Sequence, residues 1–126
     1  MEEKKLKIMI IDDEHIVGKR LKSALESSGE QVETFEDGEK ALERFNESPF
    51  DIVVTDIRME KIDGIEILEK VQARAPKTKV IIITGYATVE VAREALSKGA
   101  FDFIAKPFKP GDLREIIQRA SNELKF

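Results

Sequence analysis

Five side chains of this sequence could share one piece of chemistry: Asp12, Asp13, Asp56, Thr84 and Lys106. Each stands directly after, or at the end of, a short apolar run. Asp12 and Asp13 follow Leu6–Ile11, Asp56 closes the run Ile52–Val54 after Thr55, Thr84 closes Lys79–Thr84, and Lys106 follows Phe101–Ala105. If those runs are neighbouring strands, three carboxylates meet, with a hydroxyl and an ammonium at their flank. Two carboxylates about 5 Å apart repel by roughly 3 kcal/mol at an effective dielectric of 20. A divalent cation removes that cost. An oxygen-only donor set selects Mg²⁺, with Mn²⁺ as the alternative, over zinc. Without metal, at least one of the acids should have a raised pKa. Next to such an ion a carboxylate can attack phosphorus and become an acyl phosphate. Asp56 is the expected nucleophile. Lys106 would neutralise a phosphoryl oxygen, and Thr84 would bond the new phosphate and report its presence.

Taken singly, these residues have plainer readings. Acids such as Asp12 and Asp13 favour helix N-termini for electrostatic reasons. Thr84 could be a turn or cap residue, and most lysines are solvated. What favours the chemical reading is the recurrence of such residues at strand ends, together with the place of Lys106 between an apolar run and Pro107.

The elements that must position them read as five strand–helix repeats. Strands are expected at Leu6–Ile11, Gln31–Phe35, Phe50–Asp56, Lys79–Thr84 and Phe101–Ala105. Between them, apolar residues recur at helical spacing: Ile16, Val17, Leu21, Ala24 and Leu25; Ala41, Leu42 and Phe45; Ile65, Leu68 and Val71; Val91, Ala92, Ala95 and Leu96 in a helix from about Thr88. Leu113, Ile116, Ile117, Ala120 and Leu124 complete the series after Pro110, a residue suited to a first helical turn. Gly29 and Gly99 stand at expected helix C-termini, and Pro49 and Pro76 end helices. Asp63 with Glu66 resembles a capping box. This alternation predicts an α/β fold: a doubly wound, five-stranded parallel sheet, (βα)5, in the order 2-1-3-4-5. In such sheets a site lies at the carboxyl ends of the strands, where the order reverses. That point falls between strands one and three, which carry the three acids.

The bulk properties narrow the class. With 126 residues the chain reads as a single domain spanning 1–126. Charged residues make up 37% and the net charge is -4, which gives no reason to expect direct nucleic-acid binding. The absence of cysteine excludes disulfides and thiolate chemistry. No apolar run approaches membrane-spanning length and no signal core follows Met1–Lys5, so a cytoplasmic location is expected. His15, the only histidine, is expected on a helix surface.

Ile10-Ile11-Asp12-Asp13-Glu14, Asp56, Thr84-Gly85 and Gly99–Phe108 together resemble the receiver domain of two-component response regulators, with a (βα)5 flavodoxin-like fold. The final motif is most similar to receivers of enhancer-binding transcriptional activators. The resemblance implies a phosphoacceptor signalling domain in phosphorelay signal transduction, which accepts a phosphoryl group on Asp56 from a sensor histidine kinase. It implies that Asp13 and Asp56 bind Mg²⁺ directly, that Asp12 acts through water, and that the Arg58 carbonyl is a further ligand. Thr84 would be the switch hydroxyl and Phe103 an aromatic that turns inward, although its pattern alone favours plain core packing for Phe103. The Lys106–Pro107 peptide would be cis. Phosphorylation would change the face of the fourth helix, fifth strand and fifth helix, read by an output domain or effector, or by a second copy of the domain. Receivers commonly carry proline after the methionine that follows the acceptor; here Glu60 follows Met59. Arg58 and Tyr86 lie where side chains could slow attack of water on the acyl phosphate.

Two other classes compete. Mg²⁺-dependent phosphatases also form an aspartyl phosphate, but usually carry a second acid two residues after the nucleophile, where this chain has Arg58. A pseudo-receiver that only binds partners would lack the acids that are all present here.

Overall fold

The three central runs form strands because they are short, rich in isoleucine and valine, and buried on both sides, as parallel strands are, whereas the two edge runs stay partly exposed. The computed structural model describes residues 5–59, 62–85 and 89–124. The strands are β1 (Lys7–Ile11), β2 (Gln31–Phe35), β3 (Ile52–Asp56), β4 (Lys79–Thr84) and β5 (Asp102–Ala105). They alternate with α1 (His15–Glu26), α2 (Gly38–Glu47), α3 (Gly64–Arg74), α4 (Val89–Ser97) and α5 (Pro110–Leu124). The sheet is parallel throughout, in the order β2-β1-β3-β4-β5, as expected. Strand bounds match the sequence reading to within a residue or two.

Alternation along each central strand divides the core in two. Ile8, Ile10, Ile52, Val54, Ile81 and Ile83 point to one face and pack with Leu21 and Leu25 of α1 and Leu113, Ile116, Ile117 and Ala120 of α5. Met9, Ile11, Val53, Val80 and Ile82 point to the other and pack with Ala41 and Phe45 of α2, Ile65, Ile67, Leu68 and Val71 of α3, and Ala95 of α4. Phe45 is wholly buried and stacks on Phe50 at 6.4 Å between ring centroids.

Local chemistry sets the helix limits. Asp37 caps α2, its Oδ1 accepting from the backbone N–H groups of Glu39 and Lys40. Asp63 caps α3 by accepting from the Glu66 N–H at 2.9 Å, the expected half of a capping box. Gly29 and Gly99, after α1 and α4, adopt φ of +91° and +106°, where a side chain is disfavoured. Two helical stripes depart from expectation: Leu96 of α4 is 49% exposed, and Ile16 of α1 is exposed as well. Ile16 is 57% exposed, because the first turn of α1 borders an open cleft with Val17, Pro107 and Phe108 rather than the sheet.

Candidate functional site

β1 and β3 are neighbours, with Ile11 opposite Thr55, so the residues that follow meet at the carboxyl edge of the sheet. Ligand oxygens of Asp12, Asp13 and Asp56 lie within 4.8 Å of one another. Asp12 and Asp56 are almost fully buried, at 1% and 6% exposure, whereas Asp13 faces solvent. Lys106 arrives from the end of β5, where its backbone N–H donates to the Thr84 carbonyl at 2.9 Å. Its Nζ donates to Asp56 Oδ2 at 2.8 Å and to Glu14 Oε1 at 3.0 Å. The Lys106–Pro107 peptide is cis.

Backbone groups fix the carboxylates from the other side. Asp12 Oδ1 accepts from the Glu14 N–H at 2.8 Å, and Asp56 Oδ1 from the Arg58 N–H at 3.2 Å. The loop after β3 is anchored where the Ile57 N–H donates to the Ile83 carbonyl, at 3.2 Å, and the Gly64 N–H to the Ile57 carbonyl, at 2.9 Å. A Cβ on Gly64 would stand 2.4 Å from the Asp56 carbonyl oxygen and 2.8 Å from Ile57 Cα. Only glycine lets α3 approach the end of β3 this closely. Thr84 ends β4, wholly buried, one position beyond Ile83, the register partner of Asp56. Phe103 is half-buried and packs against the α2–α4 side of the core. Arg58 lines an open cleft of about 280 Å³ with Asp13, Glu14, Asp56, Gly85 and Lys106. His15 is exposed and pairs with Glu36 at 2.7 Å. Glu60 and Tyr86 lie outside the described residues.

The electrostatics favour a cation. Burial pushes Asp12 above its ordinary carboxylate range, despite the Glu14 N–H and the neighbouring ammonium. Burial alone would depress Lys106, but its contacts with Asp56, Asp12 and Glu14 outweigh this and hold the ammonium well above its ordinary value. Asp12 Oδ2 lies 2.9 Å from Lys106 Nζ, yet it is buried and accepts no directed hydrogen bond. Such an oxygen costs free energy unless something completes its shell. Three carboxylates, two of them buried and sharing one ammonium, beside an open cleft fit a hard divalent ion.

Two features of the site went unassigned in the sequence. Glu14 was legible only as the residue after the acid pair; its reach to Lys106 spans 92 positions. Gly64 was legible only as the residue after a capping aspartate.

Comparisons with known proteins agree with this geometry. The model of the response regulator receiver domain matches residues 8–118. Regulatory protein AtoC of Escherichia coli (strain K12) is 41% identical over 114 residues, covering 90% of this chain and 25% of that protein. The chain thus spans about a quarter of that curated relative's length. The receiver domain protein (CheY-like) from Methanospirillum hungatei JF-1 superposes with a TM-score of 0.92 at 32% identity, covering 97% of this chain and 98% of that one. The beryllofluoride-activated NtrC4 receiver domain dimer gives 0.90 at 29% identity, over 94% of this chain and 98% of that one. With its five-stranded parallel sheet and its acids gathered at the switch point, the chain belongs to the response regulator receiver domain family, the phosphoacceptor signalling domains of two-component systems.

Proposed function

We propose that Asp56 is the phosphoacceptor and that the chain is one receiver domain, residues 1–126, which catalyses only its own phosphorylation and dephosphorylation. The observation that carries this is the convergence of Asp12, Asp13 and Asp56 within 4.8 Å, with Lys106 bridging Asp12 and Asp56. Asp13 and Asp56, with the Arg58 carbonyl, would hold Mg²⁺, and Asp12 would act through water. When bound, Mg²⁺ supplies positive charge that screens the carboxylates from the phosphoryl oxygens.

The chain's own residues do the rest. Before metal enters, the Arg58 N–H and Lys106 hold the two oxygens of Asp56 in place. An Asp56 oxygen forms a bond to phosphorus as the P–N bond of a phosphohistidine breaks, and the departing imidazole takes a proton. The donor is a sensor histidine kinase. Lys106 neutralises a phosphoryl oxygen. Thr84, buried at the neighbouring strand end, bonds another and couples the added charge to Phe103 and to the face of α4, β5 and α5. That face controls an output domain or effector, and a second copy of the domain is a further candidate partner. The NtrC4 neighbour is described as a beryllofluoride-activated dimer, which supports both the acyl-phosphate mimic and the dimer as tests for this chain. The reading places the domain in the cytoplasm; among the described residues no helix is long and apolar enough to cross a membrane.

Mass spectrometry after treatment with acetyl phosphate and Mg²⁺ tests the acceptor. One added phosphoryl group, labile to hydroxylamine and lost in Asp56→Asn, is the expected result. The same gain in Asp56→Asn would sink the assignment.

A further inference from the structure

Lys106 is the cation already paired with two of the three acids that would hold a metal ion. Its Nζ is 2.8 Å from Asp56 Oδ2 and 2.9 Å from Asp12 Oδ2, so the ammonium is the positive charge these two buried acids share. A divalent ion held by the same acids repels it at short range. The ammonium must therefore give up the Asp12–Asp56 pair when the ion enters. It must also stay close enough to meet a phosphoryl oxygen afterwards.

Its third partner can meet both demands. Glu14 Oε1 lies 3.0 Å from Nζ, on the rim of the cleft. The Glu14 side chain is 62% exposed, against 0% for Asp12 and 8% for Asp56. An ammonium drawn toward Glu14 keeps its hydration while remaining paired. Glu14 is also the N-cap residue of α1, yet its side chain makes no capping hydrogen bond. Its carboxylate is engaged across the fold instead.

We propose that Glu14 is a positioning residue: it holds the Lys106 ammonium at the rim while a divalent ion engages Asp13 and Asp56, and Asp12 through water, so that metal entry does not release the lysine into solvent. The inference rests on the metal reading given above. It predicts that Glu14 aids Mg²⁺ binding through Lys106, and not merely as one more negative charge nearby.

A double-mutant cycle separates these two routes. Mg²⁺ is titrated calorimetrically into the full chain, Glu14→Gln, Lys106→Met and the double variant. Glu14→Gln should weaken Mg²⁺ binding about threefold to fivefold, the scale of an exposed charge pair. In the Lys106→Met background the same change should have almost no effect. Glu14→Asp should restore much of the loss. Equal weakening in both backgrounds would show a simple field effect and overturn the proposal, as would no weakening in either. If Lys106→Met does not fold, Lys106→Gln takes its place in the cycle. Should the unaltered chain bind no Mg²⁺, the metal reading itself fails and this inference with it; a chain that binds Mg²⁺ but lacks the coupling fails the inference alone.

Discussion

Asp12 carries the sharpest electrostatic conflict of any residue in the site. Its carboxylate is buried, its ionisation is disfavoured chiefly by that burial, and one of its oxygens accepts no directed hydrogen bond. Its folded-state pKa lies above the unfolded value, so the metal-free fold binds the extra proton. The stability this contributes is present in full below the ordinary carboxylate range and is lost as pH rises through the folded value. Asp12→Asn removes the conflict. It should raise the metal-free melting temperature by about 3–5 °C, the shift that roughly 1 kcal/mol produces in a domain of this size. The same substitution should abolish Mg²⁺ binding in calorimetry. A lower melting temperature in Asp12→Asn would mean that the carboxylate's contact with Lys106 outweighs its desolvation. Stability given up at a binding site is a common trade in proteins.

At the scale of elements, the junction of β3 and α3 sets the position of Asp56. Gly64 opens α3 directly against the backbone of Asp56 and Ile57. Atoms of two main chains cannot yield as a flexible side chain can. Gly64→Ala should therefore destabilise the fold by about 2–3 kcal/mol in chemical denaturation. Gly111, near the start of α5, is the natural control. Nothing lies within 4 Å of a Cβ built there, so Gly111→Ala should be neutral or stabilising by up to about 1 kcal/mol. Equal costs at the two positions would show that close approach at Gly64 is not the cause. The helix caps belong to this scale too. Asp37 and Asp63 each satisfy backbone donors that the next turn leaves free, which fixes where α2 and α3 begin.

At the scale of the whole molecule, the sheet divides the work. Its two faces make two apolar cores, and its carboxyl edge gathers the charge. If Mg²⁺ binds at that edge as proposed, its binding is linked to folding. Mg²⁺ at about one hundred times its dissociation constant should add about 2.7 kcal/mol to stability. That corresponds to a rise of about 10 °C in melting temperature. The rise should grow with pH across the range in which Asp12 loses its proton, because proton and metal compete for the same carboxylate. A thermal melt series with and without Mg²⁺ checks both statements. A melting temperature unmoved by Mg²⁺ at any pH would refute the linkage, and Asp56→Asn should show a much smaller rise than the unaltered chain.

The sequence alone determined the fold class, the strand order and the strand-end positions of the candidate site residues. Each strand is a short apolar run, each helix carries a stripe, and Asp12, Asp13, Asp56, Thr84 and Lys106 fall at strand ends by local pattern. These features were legible because side-chain period and turn chemistry act over a few residues. Partners and depth were not. The split into buried Asp12 and Asp56 and exposed Asp13 depends on which loops cover the sheet edge. The exposure of Ile16 depends on the cleft between α1 and the loop after β5, and no stripe within α1 could reveal it. Glu14 became a candidate only once tertiary structure brought it to Lys106. A long lysine can reach several acids at once, and which of them it meets is decided by packing across the whole sheet, not by spacing along the chain.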